Sequence, residues 1–139
     1  AMLGIHQLKH MPEILAARGQ RDQLYRQLLQ NVNGIQCQRP IRQTQRNYAY
    51  FPIFVQDNFT LSRDELYWLL QEKGIYGRRY FYPLISEFPM YADMPSSDNE
   101  ALSVAFKASR QVICLPLYPD LPLESVEEIC GHIVGVIRD

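Results

Sequence analysis

SRDELYWLLQEKGIYGRRYFYPL, residues 62–84, holds a helix, its stop signal and an aromatic-rich extended run in one stretch. Ser62 and Glu65 have the spacing of a capping box, in which each side chain satisfies a backbone donor of the other's residue. Leu66, Leu69 and Leu70 recur at helical intervals and make an apolar face. Gly74 supplies the residue that leaves a helix with a left-handed backbone. The run from Ile75 to Tyr82 predicts a strand, with Arg78 and Arg79 side by side among aromatic rings.

Upstream, the chain from Met2 to Gln30 carries Ile5, Leu8, Leu15, Tyr25, Leu28 and Leu29 at three- and four-residue spacings, the pattern of a helix. Pro12 predicts either a kink or a new helix that holds it in its first turn. Asn33-Gly34 predicts the end of this helical stretch. NYAYFPIFV (47–55) reads as a strand, and Pro52, which lacks a donor, favours an edge position or a bulge. Residues 86–98 read as loop, followed by a helix from about Asn99 to Ser109. QVICLPLY (111–118) is an apolar strand, and Val126, Ile129, Ile133 and Ile137 mark a last amphipathic helix. Elements of both kinds alternate without a repeat or linker. The expectation is one α/β (α+β) sandwich spanning residues 1–139, a small sheet with helices packed on it. The first helix opens on Ala-Met-Leu-Gly with no capping side chain, so a preceding segment is expected, although Ala1 before Met2 reads equally as a residue left by cloning.

The totals narrow the function classes. At 139 residues the chain is long enough to bury a core. Fourteen basic and fifteen acidic residues give a net charge of −1, against a general nucleic-acid partner. No apolar run is long enough for a membrane helix. Cys37, Cys114 and Cys130 are odd in number and form no C-x-x-C pair, so reduced thiols and a cytoplasmic location are expected. His6 and His10 have the i, i+4 spacing of a metal pair but lack a third ligand nearby, so no metal site is expected.

Taken in order, AMLGIHQLKHMPEILAARGQRDQLYRQLL, NYAYFPIFV, SRDELYWLLQEKGIYGRRYFYPL and VICLPLYPDLPLESVEEICGHI resemble successive landmarks of the DegT–StrS sugar aminotransferases, fold-type-I enzymes that use pyridoxal phosphate (PLP). RRYFYPL is similar to the branch acting on dTDP-4-keto-6-deoxyhexoses. The resemblance covers essentially the whole chain, but only the C-terminal small domain of such an enzyme. It implies a mainly antiparallel three-stranded sheet, near 48–55, 75–82 and 111–117, with helices on one face. Strand–helix–strand order by itself suggests parallel pairing instead.

PLP chemistry needs a lysine imine and an acidic partner for the ring nitrogen. The resemblance puts both in a large N-terminal domain. Lys9, Lys73 and Lys107 are the chain's lysines, and none matches a cofactor position. No catalytic and no cofactor-binding residue is therefore expected in this chain, which by itself would be inactive. In the complete enzyme, expected to be a homodimer, the resemblance places Arg78, Arg79, Tyr80 and Phe81 at the active-site mouth. Guanidinium groups suit a diphosphate, and the two rings would line the sugar or base pocket. Alternate strand residues face opposite ways, so both arginines reach one ligand only across a bend; otherwise they are surface or interdomain residues. Tyr67 and Trp68 are expected to pack, and Tyr48, Tyr50 and Phe51 to be core or interface. Partners of the complete enzyme would be a nucleotide sugar and an amino donor such as glutamate. The alternative is a non-catalytic α/β binding or assembly module that uses the RRYFYPL run for a partner.

Overall fold

The computed structural model describes residues 2–41, 43–98 and 100–137. Helices α1 (Met2–Lys9) and α2 (Met11–Leu29) are followed by strands β1 (Ile35–Cys37) and β2 (Phe51–Val55). Then come α3 (Arg63–Glu72), α4 (Ser103–Gln111), β3 (Val112–Leu115) and α5 (Leu123–Gly135). The sheet runs β1–β2–β3 with both pairs antiparallel. The antiparallel expectation holds against the generic one, even for β2 and β3, between which α3 and α4 intervene.

Local chemistry accounts for the ends. Pro12 sits in the first turn of a new helix, where its missing N–H costs no bond. At α3 both halves of the Ser62–Glu65 capping box form. At its other end Ile75 N–H donates to Leu70 C=O and Gly74 N–H to Gln71 C=O, with Gly74 at φ +76°. This is the paired closure that glycine permits. Helix α2 stops at Leu29, earlier than Asn33-Gly34 suggested. Gly34 (φ +81°) instead makes the turn into β1, pressed against the Phe59 backbone.

Three expectations are corrected. Residues 75–82 form no strand: Arg78 alone bridges Cys114, with reciprocal bonds of 2.9 and 2.7 Å. Gly77 lies too close to Ile113 for any side chain, and Arg79 is drawn away towards α3, so the ladder closes after one pair. The third strand is β1, three residues long with one of them polar, too short to show a period of two. Pro52 lies in the central strand. Its neighbour β1 ends opposite Ile53, and Cys114, facing Pro52 on β3, spends its own N–H and C=O on Arg78. The proline's missing donor therefore points where no strand runs.

Phe51, Ile53 and Val55 project from β2 into a core closed by Tyr25 and Leu29 of α2, Leu66 and Leu70 of α3, and Val126, Ile129 and Ile133 of α5. The stacked Tyr25 and Phe51 rings lie 4.7 Å apart at its centre, and the Tyr25 hydroxyl donates to Pro116 C=O at 3.0 Å. Helices α2, α3 and α5 thus share one face of the sheet. Ile137 lies beyond α5 and is exposed. The sequence expectation began α4 at Asn99, which lies outside the described residues; the helix itself begins at Ser103.

Candidate functional site

Period-two alternation leaves Pro52, Phe54, Val112 and Cys114 on the sheet face away from that core. They floor a groove of about 620 Å³. Ala105, Ala108 and Ser109 of α4 form one wall. Residues 45–50 of the β1–β2 connection form the opposite wall, and Tyr80, Phe81 and Leu84 close one end. Arg46 is the single charged residue among the described lining, which holds no lysine and no carboxylate. Burial pushes the Cys114 thiol's pKa up, partly offset by a hydrogen bond involving the Tyr80 backbone. The floor therefore presents a protonated thiol, not a nucleophile. Such a groove suits a flat or hydroxylated ligand held by rings and amides.

The four residues singled out from RRYFYPL divide. Tyr80 is half-buried in the groove, its ring edge-on to Tyr50 at 5.2 Å, and Phe81 beside it is 71% exposed. Arg78 is exposed behind Tyr80 and donates to its hydroxyl at 2.8 Å. Arg79 turns the other way. It pairs with Asp64 at 2.8 Å and lies over the rings of Tyr67 (4.4 Å) and Tyr82 (5.3 Å). All four line a second pocket of about 610 Å³, but only Tyr80 and Phe81 also line the groove, and Arg79 is spent on Asp64 and the neighbouring rings. Tyr67 and Trp68 pack edge-on beneath it, although Trp68 stays half exposed. Phe51 is core, whereas Tyr48 and Tyr50 line the groove. The His6 and His10 rings lie edge-on at 5.2 Å.

Two charge clusters escaped the sequence reading. Arg63, buried at the start of α3, donates to the C=O groups of Ser109 (3.0 Å) and Val112 (3.4 Å) and lies 4.3 Å over the Tyr82 ring. Burial lowers its pKa, and the Asp64 carboxylate 2.9 Å from its Nε opposes that. On α2, Asp22 is buried and holds both Arg26 and Arg46. The Asp22–Arg26 pair, at i, i+4, was the one available signal. Arg46, twenty-four residues away, gave none.

A family model described as the DegT/DnrJ/EryC1/StrS aminotransferase family matches residues 1–134. The chain is 42% identical over 135 residues to a dTDP-4-amino-4,6-dideoxy-D-glucose transaminase from Escherichia coli, covering 97% of this chain and 36% of that protein. It is 38% identical to the Shigella dysenteriae transaminase of the same name, over 100% of this chain and 36% of the relative. The chain thus spans about a third of the length of the curated relatives it matches. Among solved structures, DesI in the presence of its TDP-sugar product superposes with a TM-score of 0.85 at 20% identity, over 94% of this chain and 33% of that one. Helicobacter pylori PseC, an aminotransferase involved in pseudoaminic acid biosynthesis, superposes at 0.83 with 20% identity, over 98% and 36%. At these identities the structural matches speak for the fold alone.

Proposed function

Since this chain belongs to the DegT/DnrJ/EryC1/StrS aminotransferase family, we propose that it is the C-terminal small domain of a PLP-dependent aminotransferase acting on a keto-deoxy nucleotide sugar of the dTDP-4-keto-6-deoxyhexose type. The observation that carries this is the 42% identity to a dTDP-sugar transaminase along nearly the whole chain. The groove agrees with it. Tyr48, Tyr50, Tyr80 and Phe81 offer ring faces and hydroxyls to a sugar or base, and exposed Arg78, outside the groove lining but bonded to the Tyr80 hydroxyl, offers a guanidinium to a diphosphate that extends past Tyr80. Arg79 keeps the segment in place.

The residues of this chain do not fit PLP itself. Lys9, Lys73 and Lys107 are exposed on helices or at a helix end, away from the groove, and no carboxylate lines it to hold a pyridinium. The reading therefore assigns the cofactor, with glutamate as amino donor, to the remainder of a longer, dimeric enzyme, and predicts that the chain alone is inactive. Among the described residues no helix is long and apolar enough to cross a membrane. We place the enzyme in the cytoplasm.

The test compares the 139-residue chain with the product of the complete reading frame that encodes it. The complete product, given PLP, glutamate and a dTDP-4-keto-6-deoxyhexose, should release the 4-amino sugar. The chain alone should show no imine absorbance and no borohydride-trapped adduct. A stoichiometric adduct on Lys9, Lys73 or Lys107 overturns the reading. So does a reading frame without an upstream cofactor lysine, which leaves the binding or assembly module.

A further inference from the structure

The groove wall opposite α4 belongs to Gln38 and residues 45–50 of the β1–β2 connection, whose described residues form no helix or strand. Outside the strand ladders, no backbone–backbone hydrogen bond among the described residues ties this segment to the rest of the fold. Side chains do that instead, and they converge on one carboxylate. Arg46 approaches Asp22 with both terminal nitrogens, at 2.6 and 2.9 Å. Arg26 donates from Nε to the same Oδ1 at 2.8 Å and, with a terminal nitrogen, to Gln38 C=O at 2.6 Å. The wall is therefore fastened where it leaves β1 and again shortly before it enters β2, both times to one turn of α2. Arg46 also lies 4.9 Å over the Tyr48 ring, and that ring rests on Gly19, one turn before Asp22, where a Cβ would approach it to 3.3 Å.

We infer that Asp22 is a positioning residue for the groove: through its clasp on Arg46 and Arg26 it sets where Tyr48 and Tyr50 stand, and so governs the affinity for the nucleotide sugar without touching it. This rests on the reading of the groove as the sugar-nucleotide site. Asp22 is 3% exposed and sits under its two arginines, which bars it from direct contact. The double pairing gives it directional hold: a bidentate guanidinium fixes both distance and plane, which a single point charge does not. A buried carboxylate between two cations is costly to maintain for fold stability alone, since apolar side chains serve a core at least as well. A site whose flexible wall must keep its rings within tenths of an ångström has use for it.

Two variants and two readouts test this. In Asp22→Asn the shape is kept and the charge lost; in Arg46→Lys the charge is kept and the fork lost. Limited chymotrypsin digestion of the 139-residue chain should cleave after Tyr48 and Tyr50 at least tenfold faster in both variants, while β3 and α5 stay as protected as in the parent. In the complete enzyme, Asp22→Asn should raise KM for the nucleotide sugar about tenfold, misplaced contacts costing up to a hundredfold, with kcat and KM for the amino donor unchanged. Acceleration spread over the whole chain shows that Asp22 merely stabilises the fold and overturns the inference. So does local loosening with an unchanged KM. If Asp22→Asn fails to fold, Arg46→Lys carries both measurements. If the unmutated complete protein turns over no nucleotide sugar, the reading of the groove fails, and local loosening of 43–50 still decides whether Asp22 holds the wall.

Discussion

Replacing Arg79 by alanine should destabilise the chain markedly, while the same change at its neighbour Arg78 should not. The Arg79 guanidinium is 27% exposed, and its partner Asp64 is 48% exposed. A pair so wet contributes about 0.5 kcal/mol. The guanidinium also sits 4.4 Å from the Tyr67 centroid and 5.3 Å from that of Tyr82. Half-buried cation–π contacts of this kind contribute about 0.7 kcal/mol each. The sum is about 2 kcal/mol, which for a domain of this size lowers Tm by roughly 8 °C. Arg78 is exposed, donates to the Tyr80 hydroxyl and lies 5.7 Å from that ring's centroid; at so exposed a position these contacts together contribute about 0.5 kcal/mol, or roughly 2 °C. Circular dichroism melts of the two variants read the difference directly. An Arg79→Met variant separates the contributions, because it keeps the stem over the rings and removes the charge; it should fall between the parent and Arg79→Ala. In the complete enzyme the order reverses at the level of binding, with Arg78→Ala raising KM for the nucleotide sugar while Tm holds. Equal Tm losses at the two positions, or a loss below about 2 °C at Arg79, would refute the division of the doublet into an exposed arginine and a scaffold arginine.

Gly34→Ala should cost about 3 kcal/mol in urea unfolding, since a positive φ is joined to backbone contact; its Cβ would lie 2.5 Å from the Phe59 Cα, and a loss under about 1 kcal/mol would contradict that geometry. Stability should decline from about pH 9 upward, because the unfolded chain releases thiol and phenol protons that the fold retains. Burial pushes Cys130 up to about 12 and also raises Cys37, Cys114 and Tyr25, so their contribution is whole below the unfolded pKa values and is lost as pH climbs past them; a urea midpoint unchanged into strong alkali disproves it. Met2, Ile5 and Leu8 on α1 are 87, 60 and 68% exposed. The chain should therefore associate through that helix at high concentration, and light scattering that shows only monomer at millimolar protein rules this out.

The residues made legible the chemistry that acts within one turn. The Ser62–Glu65 box, Gly74, Pro12 and the Leu66–Leu70 face each satisfy or bury their own neighbours, so their meaning is complete in the sequence. The antiparallel sheet and the family were likewise legible, the latter because RRYFYPL and its companions keep their order along the chain. Residues 75–82 misled for a definite reason. Aromatic and branched side chains favour strands when they pack on a pleated surface, but Tyr82 packs on guanidinium groups and Tyr80 on Tyr50. β1 was invisible at three residues. Asp22–Arg46 and Asp64–Arg79 join positions twenty-four and fifteen apart, and nothing local marks either end as the other's partner.

These two distant pairs also explain how so small a sheet can present a shaped groove. Its core-side face is covered by α2, α3 and α5, and their packing leaves little freedom there. Among the described residues the other face has only α4 as regular cover, and there the β1–β2 connection and the segment around Tyr80 stand over it unaided by strand pairing, apart from the Arg78–Cys114 bridge. Each is held by a carboxylate from a helix of the packed side: Asp22 on α2 holds Arg46, and Asp64 on α3 holds Arg79. The packed face thus anchors the groove face at two points, and the residues between those anchors are left to present rings and amides. Arg46 and Arg79 are spent on the helices that hold them, Arg46 even though it lines the groove, whereas Arg78 stays exposed outside that lining with only the Tyr80 hydroxyl as side-chain partner among the described hydrogen bonds.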